Sequence, residues 1–325
     1  MKAMVVRELG SSQVLQLEEI QKPTVKAGHM VIEVIASSVN PLDIMLRSIE
    51  TPWSANLPEV LHGDVAGIVT EVGSDVTQFS VGDEVYGCAG GIAGINGALA
   101  EFMLVDADLM ALKPKRLSMQ EAAALPLVSI TAWEALHNKM QVKAGDNVLI
   151  QGAAGGVGHI AIQLAKHFGA TVAATSTPRN MEIAATLGAD HLINVAEQQV
   201  QDYVDQYTDG VGFEAVFDTV AGENIQLSFE AARFNGQVAT ILPIDDVLQV
   251  ALKSLSFHSV LMLIPLVHGL NRKSHGEILT KIAELVDEGV VTPLIDKSEF
   301  TIWQAADAHA YFESGKAVGK VVLKA

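Results

Sequence analysis

The chain has 325 residues, 49% hydrophobic but only 5% aromatic, which is too many for one ordinary core and suits two aliphatic ones. Its 21 basic and 38 acidic residues leave a formal charge of −17, excluding the basic face that nucleic acid or an anionic membrane would require. A single cysteine, Cys88, excludes an intrachain disulfide framework and a cysteine-cluster zinc site.

Met1 to Glu8 meets charges too early for a signal-peptide core. The most lipid-like run, Val260 to Val267, is broken by Pro265 and is far shorter than the ~20 residues of a spanning helix. The expectation is a soluble cytoplasmic protein with no nucleic-acid or membrane partner.

Residues 1 to about 115 read as strands and turns. Met30 to Ile35 and Val65 to Val72 are β-rich, and Val81 to Gly87 reads as a turn feeding a short strand. This texture predicts a compact, barrel-like β unit. The glycine-rich stretch Gly87 to Gly97 follows no strand–helix pair. It is expected to be a mobile loop walling a cleft, with an ordinary long turn as the other reading.

From about residue 120 the pattern alternates. Glu121 to Leu136 is helix-like, and Asn147 to Ile150 is a short buried strand. Val157, Ile160, Ala161, Leu164, Ala165 and Phe168 then form a helical stripe ended by Gly169. Strands are predicted at Thr171–Thr175, His191–Asn194, Ala215–Asp218 and Val238–Leu242. Helices are predicted around Asn180–Leu187, Val200–Tyr207, Asn224–Ala232 and Glu277–Glu288. Repeated strand–helix–strand units make the fold class α/β, with a doubly wound parallel sheet. The tail Val318 to Leu323 reads as a strand that returns to the first unit.

The strongest chemical signal is Gly152-Ala153-Ala154-Gly155-Gly156-Val157-Gly158, between the strand at 147–150 and the helix. That context is the one a dinucleotide-binding turn requires: glycine lets the backbone approach a pyrophosphate, and Gly158 permits close helix–strand packing. The helix N-terminus offers N–H groups to the anion. A tight turn without a ligand is the alternative. After the next strand comes Ser176-Thr177-Pro178-Arg179-Asn180, with no carboxylate before Glu182. Ser176 and Thr177 can donate to a 2′-phosphate and Arg179 can add charge, so NADPH is expected over NADH. Thr177 and Pro178 also suit a helix start.

With these residues in view, the chain resembles the medium-chain dehydrogenase/reductase superfamily, in its zinc-independent quinone oxidoreductase branch. The resemblance runs through Asn40-Pro41-Leu42-Asp43, His62 to Gly73, Gly82-Asp83-Glu84-Val85, Gly97 to Phe102, Leu125-Pro126-Leu127 with Thr131-Ala132-Trp133, and the turn at 153–158. It implies a GroES-like β-barrel catalytic domain (1–120 and 266–325) and a Rossmann NADP-binding domain (121–265), with substrate and nicotinamide in the cleft. It also implies that Thr131 contacts the cofactor. Zinc-dependent relatives carry a cysteine near Asn40 and further ligands; here only His62 stands as a plausible ligand, so no metal is expected.

Without a metal, hydride transfer needs a group that stabilises the developing oxyanion. Asn40 can donate an amide hydrogen bond and Asp43 can orient its neighbours, although Asn40 before Pro41 is also a good helix N-cap. Met45 and Val195 stand where some relatives have tyrosine. No tyrosine has lysine four residues later, and no G-x-S-x-G elbow or G-x-x-x-x-G-K-[ST] loop occurs. The expected activity is NADPH-dependent hydride transfer to a quinone or other conjugated carbonyl. The alternatives are reduction of an enone or enoyl C=C bond and non-catalytic NADPH binding. Relatives of this branch are commonly homodimers.

Overall fold

The computed structural model describes residues 1–325. Fifteen strands occur in chain order. The first seven are β1 (Lys2–Val6), β2 (Leu15–Glu19), β3 (His29–Ser38), β4 (Asp64–Val72), β5 (Glu84–Cys88), β6 (Phe102–Asp106) and β7 (Met110–Leu112). The middle six are β8 (Asn147–Gln151), β9 (Thr171–Ser176), β10 (His191–Asn194), β11 (Phe213–Asp218), β12 (Ala232–Thr240) and β13 (Ser256–Ser259). Near the end come β14 (Phe300–Thr301) and β15 (Val322–Lys324).

Two compact units divide the chain. One comprises Met1–Leu127, Leu263–Gly289 and Pro293–Ala325; the other comprises Val128–Met262 and Val290–Thr292. The first unit continues past residue 120 because helix Met119–Ala123 buries Ala122 and Ala123, and because the Leu127 N–H is bonded to Asp64. Residues 290–292 join the second unit: the Gln163 amide donates to the Thr292 carbonyl at 3.0 Å and accepts from its N–H at 2.9 Å.

The first unit is a sheet in the order β14-β15-β3-β4-β5-β7, with β6 also paired to β3 and a separate β1–β2 hairpin. All its pairings are antiparallel except β14–β15. The tail does return to this unit, but as a three-residue strand. Gly319 lies in the left-handed region, so regular pairing starts only at Val322, opposite Ser38.

The second unit is a six-stranded, wholly parallel sheet in the order β10-β9-β8-β11-β12-β13. Leu149, Ala173, Ile193, Val216 and Val238 supply its aliphatic core. Strand order reverses between β8 and β11, and in such folds ligands bind at that switch point, outside the carboxyl ends of the strands.

Three elements differ from the sequence expectation. The helix expected over 121–136 breaks at Ala124–Leu125, before Pro126, and resumes as helix Pro126–Trp133 with a π-helical turn Glu134–Lys139. Strand β12 begins at Ala232, directly after helix Asn224–Ala231, because a kink at Asn235 shifts its register and lets it continue. The segment 87–97 is packed over most of its length: Gly87 to Ile92 are buried, a Cβ on Gly97 would fall 2.2 Å from the His62 carbonyl oxygen, and only Gly94 and Asn96 are exposed.

Candidate active site

In the second unit, the turn after β8 is organised around one carbonyl. The Gly152 oxygen accepts from the Gly155 N–H at 3.1 Å, and a Cβ at Gly158 would sit 2.1 Å from that oxygen. Gly158 is therefore required by its close approach to the backbone that directly follows β8. A Cβ at Gly155 would meet only the same oxygen, at 3.2 Å, so the outer side of that residue is open. The Ala153 N–H and the Gly152 N–H are anchored on the Thr175 carbonyl and hydroxyl at 2.9 and 3.0 Å. Thr219, after β11, donates to the Gln151 carbonyl at 2.6 Å and ties the neighbouring loop to the same place.

At the end of β9 the Ser176 hydroxyl is buried and has no hydrogen-bond partner. The Asn180 Oδ1 is likewise buried and unpartnered. Thr177 occupies the N-cap position before Pro178, but its side chain makes no capping bond. Thr177 and Arg179 are exposed beside Ser176. A buried orphan hydroxyl is costly, and such a group is a natural place for a ligand to bond.

In the first unit the carboxylate of Asp64, fully buried, collects donors from several segments. Its Oδ2 accepts from the Ser38 hydroxyl at 2.9 Å and the Asn40 amide at 2.8 Å, with the Lys320 ammonium at 3.4 Å. Its Oδ1 accepts from the Leu127 N–H at 2.8 Å. Lys320 also donates to the Val39 carbonyl at 3.0 Å and to Asn40 Oδ1.

Asp43, in helix Pro41–Ser48, closes a capping box: its carboxylate accepts the Asn40 N–H at 2.8 Å. It accepts from the His62 N–H as well. Burial pushes its carboxyl up to about 7, with Asp64 adding to the rise and Asn40 and Lys320 opposing it.

His62 adopts a left-handed conformation, φ +71°, unusual for a buried residue with a side chain. Its neighbours over-determine that conformation. Ser37 gives its one proton to the Asp64 carbonyl (2.7 Å), so His62 Nδ1 must donate to the Ser37 oxygen (3.0 Å). His62 Nε2 then accepts from His309 Nε2 at 2.8 Å, and His309 Nδ1 accepts from Arg47 Nε at 3.3 Å. Arg47 donates onward to Glu313 at 2.7 Å and to the Gly10 carbonyl. Every ring nitrogen thus has a fixed role, and both imidazoles are neutral. Burial, with Arg47 in addition, holds His309 down at about 3; burial, His309 and Lys320 keep His62 well below the ordinary imidazole range.

A family model described as an alcohol dehydrogenase GroES-like domain matches residues 26–115, and one described as a zinc-binding dehydrogenase matches residues 187–323. The chain is 38% identical over 337 residues to the 2-methylene-furan-3-one reductase of Solanum lycopersicum, covering 99% of this chain and 79% of that protein. It is 35% identical over 332 residues to the chloroplastic NADPH-dependent alkenal/one oxidoreductase of Arabidopsis thaliana, with the same coverage of 99% and 79%. The solved quinone oxidoreductase of Coxiella burnetii matches with a TM-score of 0.85 at 31% identity, over 100% of this chain and 99% of that one. The chain belongs to the medium-chain dehydrogenase/reductase superfamily. It is an oxidoreductase of the quinone oxidoreductase branch.

The zinc named in one of those family descriptions finds no fitting donor set in this medium-chain dehydrogenase/reductase. Both His62 nitrogens are bonded, and Cys88 is buried with its thiol donating to Asp64. Burial, then Asp64 and Asp43, push that thiol well above its ordinary value, away from the thiolate a metal needs. No group of three or more histidine, cysteine, aspartate and glutamate side chains is arranged to hold a metal ion. No helix is long and apolar enough to cross a membrane.

Among the residues singled out from sequence, Ala153 to Gly158 form one turn; Ser176 ends the adjacent strand, and Thr177 and Arg179 follow it within the same unit. Thr131 is buried on helix Pro126–Trp133. Asn40 and Asp43 lie in the first unit, 1% exposed, inside the Asp64 cluster. Sequence reasoning missed Lys320 and His309 as members of that cluster. It also missed Thr240, whose buried hydroxyl has no partner at the carboxyl end of β12. The one signal for Lys320 was a lysine in the otherwise apolar run Val318 to Leu323.

Proposed function

We propose that this oxidoreductase uses NADPH to reduce conjugated carbonyl compounds, quinones among them, and does so without zinc. The observation that carries the reading is the buried, unpartnered Ser176 hydroxyl at the end of β9, with no carboxylate before Glu182. Ser176, Thr177 and Arg179 would hold the 2′-phosphate, and the N–H groups of 153–158 would hold the pyrophosphate. Thr131 would contact the same cofactor. The dinucleotide, when bound, supplies a hydride.

Asn40 is the donor for the acceptor's oxygen. When a hydride reaches the β-carbon of an enone, the electron pair moves to the carbonyl oxygen, and an amide N–H aimed there stabilises the charge. Solvent water then gives a proton to the α-carbon, leaving as hydroxide, and the electron pair returns from the oxygen to restore the carbonyl. Asn40 is 1% exposed, so an acceptor reaches it only as the cover over the amide shifts. Asp43 orients Asn40 and His62 through their backbone N–H groups and does not itself touch the acceptor.

Both relatives above are named for conjugated alkenes, which favours saturation of the C=C bond over formation of an allylic alcohol. The test is turnover with NADPH of an α,β-unsaturated ketone and, separately, a quinone, with identification of products. A saturated ketone supports this reading; an allylic alcohol replaces it with carbonyl reduction; no oxidation of NADPH with either acceptor overturns it. Elemental analysis showing near-stoichiometric zinc in active protein would overturn the metal-free part. Pairing into a homodimer is supported by the open edge at β13 and by exposed Leu248 and Leu252 nearby in the chain. Light scattering at the mass of one chain would overturn it.

A further inference from the structure

Lys320 is 2% exposed and stands two residues before β15, in the segment that closes the first unit's sheet. An ammonium has three N–H donors. Here the three acceptors are the Val39 carbonyl at 3.0 Å, Asn40 Oδ1, and Asp64 Oδ2 at 3.4 Å. The other end of the Asn40 amide donates to Asp64 at 2.8 Å. A planar amide held at both ends cannot turn, so its second N–H has one direction. The positive charge on its oxygen also draws electron density from the nitrogen, which strengthens that N–H as a donor.

A buried ion pair of this kind is a weak source of stability, since apolar residues of equal volume often serve as well. Its presence around one amide therefore asks for a second role. We propose that Lys320 is a positioning residue for the reduction, holding and polarising the Asn40 amide so that its remaining N–H meets the acceptor oxygen as charge develops there. This rests on the role given to Asn40 above.

The test is a double-mutant cycle on the full-length protein. Lys320→Met is expected to lower kcat by about 10- to 100-fold, with the acceptor KM changed less than about threefold, because the interaction strengthens only in the transition state. NADPH affinity, read by fluorescence titration without acceptor, should not move, since the dinucleotide turn belongs to the other unit. In an Asn40→Ala background, Lys320→Met should change kcat by less than about twofold, because the residue it acts through is gone. A wild-type kcat for Lys320→Met, or an equal fall in both backgrounds, overturns the proposal. If Lys320→Met does not fold, Asp64→Asn with Lys320→Met removes both charges together, and a wild-type kcat in that variant overturns it equally. Should Asn40→Ala keep full kcat, the role of Asn40 fails and this inference with it. Should Asn40→Ala lose activity while Lys320→Met does not, only this inference fails.

Discussion

The dinucleotide turn of the second unit, half-buried, and the Asp64 cluster of the first, fully buried, are held together by opposite means. In the turn, contiguous backbone does the work: Gly152, Gly155 and Gly158 pack on one carbonyl, and no ionised side chain takes part. In the cluster, side chains from residues 38–43, 64 and 320 balance one another's charge around a carboxylate. The turn fails when an atom is added. The cluster fails when a charge is left alone.

The largest effect should come from unbalancing the cluster. Asp64→Ala leaves the Lys320 ammonium buried without its carboxylate and orphans the Ser38, Asn40 and Leu127 donors. The expected cost is about 3–5 kcal/mol of folding stability. Removing both charges, as Asp64→Asn with Lys320→Met, should cost clearly less. Urea midpoints compare the two, and a double variant as unstable as the single one would mean that charge balance is not what holds this region.

Acid should reach the cluster next and spare the turn. His62 and His309 are held below the ~6.5 of an unfolded chain, so as pH falls below 6.5 the unfolded state takes protons that the native state refuses, and stability is lost. Asp43 runs the other way. Its carboxyl is raised to about 7, so its contribution is full below ~3.8 and is lost as pH rises through 7. As pH falls below 6.5 the two histidines cost stability and Asp43 offsets part of that cost, so stability slopes downward toward acid. Denaturant midpoints against pH should show that slope, shallower in His309→Gln and steeper in Asp43→Asn. A slope shared by all three proteins would remove these groups from the acid response.

The same contrast explains what could be read from the residues alone. The turn is contiguous, so strand, glycine spacing and helix periodicity all pointed to one place. Ser176 was within reach because it ends the next strand, but that its hydroxyl lacks a partner is a property of packing. The cluster was half legible: Asn40 and Asp43 sit three apart, as a capping box requires, and their local pattern marked the helix start. What turns that cap into a site is Lys320, 280 residues away, and Asp64, 24 away. His309 offered no local signal, since its partners are Arg47 and His62 across the sheet's whole sequence span. In the stretch 87–97 the residues alone do not separate glycine's two uses, mobile loop and close packing; Gly97 lies against the His62 carbonyl, while Gly94 and Asn96 are exposed.

The smallest effect tests the turn's side of the comparison through a sign rather than a size. Ser176→Ala deletes a buried hydroxyl that has no partner, so the ligand-free protein should be unchanged or up to about 1 kcal/mol more stable. If that hydroxyl serves the 2′-phosphate, the same change should weaken NADPH binding about tenfold, or ~1.4 kcal/mol, and leave NADH binding as it was. Thermal unfolding without ligand and titration with each dinucleotide measure the two halves separately. A variant that is less stable would show that the hydroxyl bonds within the protein. One that is more stable but binds both dinucleotides as before would move the selectivity to Thr177 and Arg179. Asp64 cannot show this split, because every donor around it depends on it in the ligand-free chain. A group that lowers stability while raising affinity is what distinguishes a ligand contact from a structural one.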